Sequence, residues 1–205
     1  MEECKPVLNT GLRGVVIADT RICEVDGANG RLIYRGYTVQ NLAENASFEE
    51  VAFLLLYEKL PDKTELAEFK GRLVAERHLP PAVIDVLRNR PKDALPMDIL
   101  QAAVPLLAHH DPDKQDQSME AVLRMAVRLI AKFPTIIAAW DRIRNDKEPV
   151  EPSADLDHAA NFLYMLSGKM PDAEMGEFLD KALVLHAEHS FNASTFAARE
   201  VASTR

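Results

Sequence analysis

Two histidines that lie three residues apart, His186 and His189, are the strongest candidates for chemistry in this sequence. An imidazole exchanges protons near neutral pH and donates hydrogen bonds to substrate oxygens. The surrounding periodicity predicts a helix over residues 173–189. At 100° per residue, His189 would lie only ~20° around the axis from Phe178, on one stripe with Ala182 and Leu185. We therefore expect His189 to face the protein interior near the C-terminal end of this helix.

Three functions for His189 are open from its type and spacing. A core histidine that is hydrogen-bonded to a neighbour is one of them, since buried polar groups are normally satisfied. A zinc site is the second, because two histidines at this spacing can share a metal, although no third ligand of suitable spacing accompanies them. The third is a hydrogen-bond donor to a substrate carbonyl, since a helix C-terminus stabilises a protonated imidazole.

Other polar clusters have simpler explanations. The ligand-like run at residues 109–113 falls where a helix should end, and histidines there interact favourably with the last carbonyls. Asn192 and Ser194 match a glycosylation sequon, but these residue types are also typical of helix caps or of polar groups that line a site. The charged run at residues 141–148 is typical of a solvated helix end.

The elements that must position these residues are mainly helical. Short β-prone runs at residues 22–25 and 31–35 flank a turn-forming segment and predict one small hairpin at about residues 20–36. Helical signals continue from Ser47 onward. Predicted helices begin at Ser47, Asp62 and Ser118 and also cover residues 81–87, 97–109, 159–166, 173–189 and 194–205, with kinks expected at Pro105 and Pro134. The sequence predicts a mainly α fold.

Composition excludes several classes of protein. The 205 residues carry a net charge of −8, which argues against nucleic-acid binding because that depends on neutralising phosphates. No apolar run approaches the ~20 residues of a membrane span, and the first residues do not resemble a signal peptide, so we expect a cytoplasmic protein without membrane contact. Cys4 and Cys23 are too few for a disulfide framework, which favours reduced thiols.

Several motifs in fixed order resemble the N-terminal half of bacterial-type citrate synthases. The opening hairpin carries GLRGVV from Gly11 and GRLIYRGY from Gly30. The next matches are SFEEVA, PMD, AKFPTI and NFLYMLSG, which begin at residues 47, 96, 131 and 161. The most specific match is LHAEH with NAST, at residues 185–189 and 192–195. Leu95 and Gln101 depart from the family pattern at positions that we do not associate with catalysis.

The resemblance implies a citrate-synthase-like large domain whose C-terminal part and small domain lie outside residues 1–205. The family condenses oxaloacetate with acetyl-CoA to citrate and CoA, or uses propionyl-CoA to make 2-methylcitrate. Matched by position, His189 falls on an oxaloacetate-binding histidine and Asn192 lines the same site. By the same match the chain contains no catalytic residue, no metal ligand and no cofactor site, acetyl-CoA being a co-substrate. A truncated or split acyltransferase that is inactive alone is the expectation.

Partners and alternatives follow from the same resemblance. We expect oxaloacetate and acyl-CoA as ligands of the complete enzyme, and either a homodimer or association with the missing half. A non-catalytic module is the alternative function, binding a full-length synthase through helices at residues 97–109 and 119–143. A stand-alone metal-binding helical protein is the third. The last predicted helix, residues 194–205, reaches the end of the sequence without a glycine or proline to terminate it. We therefore expect its apolar residues to lack partners.

Overall fold

The computed structural model describes residues 18–204, so Cys4 and the motif at residues 11–16 lie outside the described residues. Within this range the chain forms one three-stranded sheet and nine helices, which confirms the predicted fold class. The strands are β1 (Cys23–Asp26), β2 (Arg31–Tyr34) and β3 (Tyr37–Thr38). The helices are α1 (Val39–Asn45), α2 (Phe48–Tyr57), α3 (Lys63–Ala75), α4 (Pro81–Arg88), α5 (Pro96–His110), α6 (Met119–Arg144), α7 (His158–Ser167), α8 (Ala173–Leu185) and α9 (Ala193–Ala202).

The predicted hairpin is confirmed and is extended by a strand that the sequence pattern did not predict. β1 pairs antiparallel with β2, which places Cys23 opposite Tyr34, and β2 pairs in turn with the short β3. Thr38 ends β3 and caps α1 by accepting a hydrogen bond from the backbone N–H of Asn41. α1 was also not predicted. The buried side of this sheet packs against α1, α2 and α8 in one hydrophobic cluster that includes Val184.

The longest helix, α6, is the central support of the remaining helices. It begins at the predicted cap Ser118, continues through Pro134, and packs against α3, α4, α5 and α7. Small residues such as Ala131 and Ala139 allow close approach, while Trp140 fills the cluster shared with α4 and α5. No helix in residues 18–204 is long and apolar enough to cross a membrane.

The orientation and length that the sequence predicts for α8 are wrong. The helix ends at Leu185 rather than at His189, because the following backbone N–H groups leave the helical pattern: that of Ala187 donates to the carbonyl of Val184, and that of Glu188 donates to the Tyr34 hydroxyl. The predicted inner stripe is the outer face: Phe178 is 70% exposed and Leu185 is 45% exposed. Val184, which the stripe excluded, is fully buried. α8 therefore packs through the face opposite to the predicted one.

Two carboxylates cap helices other than their own. The backbone N–H of Phe48, at the start of α2, donates to Asp180 Oδ1 of α8 at 3.0 Å. The backbone N–H of His158, at the start of α7, donates to Glu49 Oε1 of α2 at 3.0 Å. The first N–H groups of a helix lack intrahelical partners, so each bond satisfies a group that would otherwise be orphaned. These contacts lock α2, α7 and α8 together.

Replacing Asp180 tests this cross-helix capping. Asp180→Ala should lower the free energy of unfolding by about 1 kcal/mol, the usual cost of a lost cap. Asp180→Asn keeps an oxygen acceptor and should retain most of the stability; burial and the charges of Glu49 and Asp157 already raise the pKa of Asp180. Urea unfolding at pH 7 measures both. An Asp180→Ala variant as stable as the unaltered protein would show that the hydrogen bond to Phe48 contributes nothing.

Candidate functional site

The two predicted substrate-binding residues lie in the segment that joins α8 to α9, residues 186–192, here called the 186–192 loop. His189 and Asn192 are both exposed. The interior position expected for His189 is therefore wrong, and so is the hypothesis of a core histidine. The reason is the early end of α8, which takes His189 out of the helical periodicity. An exposed imidazole on a connecting loop is accessible to a ligand from solvent.

Tyr34 fixes the 186–192 loop against the sheet. Its ring is fully buried, and its hydroxyl lies 3.2 Å from the carbonyl oxygen of Leu185 and 3.0 Å from that of Glu188, which share its single donated hydrogen. The same hydroxyl accepts from the backbone N–H of Glu188 at 3.3 Å. Burial raises the pKa of Tyr34, which keeps the hydroxyl protonated and able to donate. One side chain thus replaces the helical hydrogen bonds that end at Leu185.

Cys23 lies beside Tyr34 under the same loop. Its side chain is buried, and burial followed by the negative charge of Glu188 raises the pKa of the thiol. A thiol of raised pKa is a poor nucleophile at neutral pH, so Cys23 serves as a small apolar side chain here. Ala187 packs on the same cluster. The loop therefore has an apolar underside and an exposed polar outer side.

A tight reversal brings His189 to the outside of the loop. Glu188 Oε1 accepts from the backbone N–H of Ser190 at 2.6 Å, and the N–H of Asn192 donates to the carbonyl of Ser190 at 3.0 Å. Ser190 adopts φ of 59°, a left-handed conformation that is costly for a residue with a Cβ. Strain of this kind persists where the surrounding contacts over-determine the backbone.

Asn192 has the capping role that its residue type predicts. Its Oδ1 accepts from the backbone N–H of Thr195 at 2.8 Å and so caps α9. Phe191, which is half-buried, stacks under the guanidinium of Arg199 with 5.4 Å between the carbon and the ring centroid. The cap and the stack fix α9 directly after the loop. The structure thus brings His189 and Asn192 together on one loop, three residues apart.

The other candidate clusters have structural roles. The His186 ring Nδ1 is hydrogen-bonded to the carbonyl of Ala182 at 2.7 Å. α5 ends at His110, one residue beyond the predicted end, and Asp111 and Asp113 then bind the guanidinium of Arg128. Among residues 18–204, no group of three or more His, Cys, Asp or Glu side chains is arranged to hold a metal ion.

A second polar cluster, which the sequence pattern did not indicate, lies buried between α2, α6 and α7. It contains Glu49, Arg77 and His158. Arg77 donates to the carbonyl of Ser153, while its Nε and Glu49 Oε2 have no protein partner. Burial, helped by the charge of Arg77 and opposed by that of Asp157, lowers the pKa of His158 to about 4. Neutral His158 is packed against Phe48, so the cluster stabilises the contact between α2 and α7.

The buried imidazole predicts a specific loss of stability in acid. An unfolded histidine binds a proton near pH 6.5, but native His158 stays neutral until about pH 4. The unfolded state therefore holds more protons between these values, and the free energy of unfolding should fall by about 3 kcal/mol as the pH drops from 6.5 to 4. In His158→Gln this contribution should vanish. The exposed His110→Gln is the control, and a His158→Gln profile parallel to it would contradict the assignment.

The left-handed backbone at residue 190 predicts that glycine is favoured there. Ser190→Gly should raise the free energy of unfolding by roughly 0.5–1 kcal/mol, because glycine adopts this conformation without steric cost. Ser190→Ala removes the hydroxyl but keeps the Cβ, and it should give no gain. Thermal unfolding of the two variants separates the effects. A similar shift for both would mean that the hydroxyl, not the backbone, is responsible.

Comparison with known proteins identifies the family of this chain. Residues 11–205 match the family model described as "Citrate synthase, C-terminal domain". The citrate synthase of Deinococcus radiodurans is 43% identical, over 95% of this chain and 52% of its own length. The 2-methylcitrate synthase of Shewanella oneidensis is 42% identical, over 100% of this chain and 54% of its own length.

Comparison with solved structures agrees with this family match. The crystal structure of citrate synthase from Pyrobaculum aerophilum superimposes with a TM-score of 0.92 at 42% identity, covering 100% of this chain and 53% of that one. Citrate synthase from Thermotoga maritima gives 0.85 at 39% identity, with 97% and 51% coverage. The chain spans about half the length of the relatives it matches. With the resemblance predicted from its ordered motifs thus confirmed, the chain belongs to the citrate synthase family.

Proposed function

We propose that this chain supplies one half of a citrate synthase, and that it contributes His189 to the oxaloacetate site. The observation that carries the proposal is the 186–192 loop, which presents the most family-specific motif to solvent and is held in place by Tyr34. In the proposed reaction the complete enzyme joins the methyl carbon of acetyl-CoA to the ketone carbon of oxaloacetate, and hydrolysis of the thioester gives citrate and CoA.

His189 would act on the oxaloacetate carbonyl. An imidazole N–H that donates to this oxygen withdraws electron density from the carbon and stabilises the negative charge that develops as the new bond forms. Loop rigidity matters here, because a donor that is fixed before the reaction costs no reorganisation in the transition state. Asn192 would line the same pocket, with its Oδ1 engaged in the α9 cap and its amide nitrogen facing the ligand.

The proton must leave the acetyl methyl group through a base that this half does not supply. The resemblance assigns that base, the second histidine and most carboxylate-binding arginines to the other half of the family's chain. We therefore propose an acyltransferase that is inactive as this chain alone and that needs association with the other half, with homodimerisation as in the resemblance. The reaction would take place in the cytoplasm, as a step of the tricarboxylic acid cycle.

Two variations of this function have specific support. Propionyl-CoA as the acyl donor, with 2-methylcitrate as product, is favoured by the 2-methylcitrate synthase of Shewanella oneidensis, whose 42% identity is close to the 43% of the Deinococcus citrate synthase. A non-catalytic module that binds a full-length synthase is favoured by exposed methionines at the ends of α5 and α6, since Met97 and Met119 are each 72% exposed.

The purified chain should not release CoA from acetyl-CoA in the presence of oxaloacetate. Thiol release followed with a chromogenic disulfide measures this, and propionyl-CoA is tested in parallel. The physical reason is the missing base, without which the methyl proton stays in place. Turnover by the chain alone with either thioester would contradict the proposed division of the active site.

Activity should appear when the other half is supplied. The probe is the part of the Deinococcus radiodurans citrate synthase that this chain does not match, co-expressed as a separate polypeptide. In that complex His189→Ala should lower kcat/KM by about 100-fold or more, the usual cost of one lost transition-state hydrogen bond. His78→Ala, an exposed histidine on the α3–α4 connection, is the matched control. A complex that stays fully active with His189→Ala would contradict the role of His189.

A further inference from the structure

The outer face of α8 carries an apolar stripe that is open to solvent. Met175, Phe178 and Leu185 are 52%, 70% and 45% exposed, and the half-buried Ala182 lies between them. Their spacing of three and four residues places all four within about 80° of the helix circumference. A phenylalanine that exposes most of its ring is unusual on a soluble surface, and exposed apolar residues grouped in this way mark interaction sites.

The opposite face of α8 is already packed against the rest of the protein. Gly176 lies against α7, where a Cβ added to it would come 3.7 Å from Ala160 Cβ. Asp180 caps α2, and Val184 is buried in the cluster under the sheet. α8 therefore has two apolar faces of which one is packed. Helices that are apolar on both sides are typical of positions enclosed between two layers of protein.

α9 is likewise exposed to solvent. None of its ten residues is buried, and Val201 is 69% exposed. An isolated helix of this length is marginal in water, so packing normally supplies most of its stability. Because α9 follows the 186–192 loop directly, the α8 stripe comes immediately before the loop that holds His189 and the exposed residues of α9 come immediately after it. We call these exposed residues the α8–α9 surface: Met175, Phe178, Leu185 and Val201.

The total exposed area is large enough for an extensive interface. The chain exposes 13749 Å², against about 9,600 Å² for a compact monomer of this mass. Roughly 2,000 Å² of the difference is left even when the residues outside the described range are allowed the full exposure of an unfolded chain. A standard interface buries about 800 Å² on each partner. The excess therefore matches the larger interfaces that permanent complexes form.

We propose that the α8–α9 surface is where the other half of the enzyme docks, namely a polypeptide equivalent to the part of the relatives' chains that this chain does not match. This inference rests on the proposed function. The groups that complete the reaction must reach His189, so the polypeptide that carries them must lie beside the loop that α8 and α9 flank. A second copy placed here would bring only residues that this chain already has, and by the family resemblance the catalytic base is not among them.

The test uses Phe178→Glu, which puts a charge at the centre of the stripe. The tagged chain is co-expressed with the unmatched part of the Deinococcus radiodurans citrate synthase, and the purified complex is examined by native mass spectrometry. We expect a one-to-one complex. Phe178→Glu should weaken the binding of the two polypeptides at least tenfold by titration. Its unfolding midpoint as a single chain should not change, since the ring is 70% exposed.

Val25→Glu is the control, because it puts the same charge at another exposed apolar position, on β1, where Val25 is 46% exposed. Binding that survives Val25→Glu and is lost with Phe178→Glu supports the proposal. Unchanged binding by Phe178→Glu overturns it, as does the absence of any complex with the corresponding parts of both the Deinococcus and the Pyrobaculum enzymes. Self-association of the chain alone that Phe178→Glu abolishes assigns the surface to a second copy and also overturns it. A complex that forms but releases no CoA contradicts only the proposed function.

Discussion

The hydroxyl of Tyr34 is the contact on which the candidate site depends. α8 ends at Leu185, and the polypeptide beyond it has no helical hydrogen bonds to hold its shape. The hydroxyl of one buried side chain replaces them: two carbonyls share its single hydrogen, and its oxygen accepts from the N–H of Glu188. Because Tyr34 belongs to β2, the small sheet is more than a cover for the helices: it sets the position of the residues that precede His189.

The helices around this contact hold the sheet and α8 in register. Asp180 reaches from α8 to the start of α2, and Glu49 reaches from α2 to the start of α7. Each carboxylate satisfies a backbone group of another helix, so the three helices cannot shift independently without orphaning a buried N–H. The inner face of α8 is thereby fixed, and its outer face is left for a further layer of protein.

Local signals predicted most of the elements, since their causes lie within a few residues. The capping box of Ser47 and Glu50, the turn between β1 and β2, and the cap at Asn192 depend on neighbours in sequence, and all three are confirmed. The motif order also predicted the family. The role of His189 in binding oxaloacetate stays a prediction.

The predictions that failed have one physical origin: each depended on contacts between segments that are far apart in the sequence. Periodicity finds an apolar face of α8 but does not say which of two apolar faces is packed, and in this chain the stripe with Phe178 is the open one. The end of α8 was misplaced because the contact that replaces its last turn comes from Tyr34, about 150 residues earlier in the chain. The buried cluster of Glu49, Arg77 and His158 joins three separate segments, and no single segment shows it.

Hydrogen exchange at the 186–192 loop in Tyr34→Phe tests the central account most directly. Phenylalanine keeps the buried ring and removes only the hydroxyl, which is the group that accepts from the N–H of Glu188. We predict that the amides of residues 187–190 exchange about ten times faster in the variant, which corresponds to roughly 1.4 kcal/mol of lost protection, while amides in the middle of α6 keep their rates. Unchanged exchange at the loop would contradict the account, because the loop would then be held by something other than Tyr34.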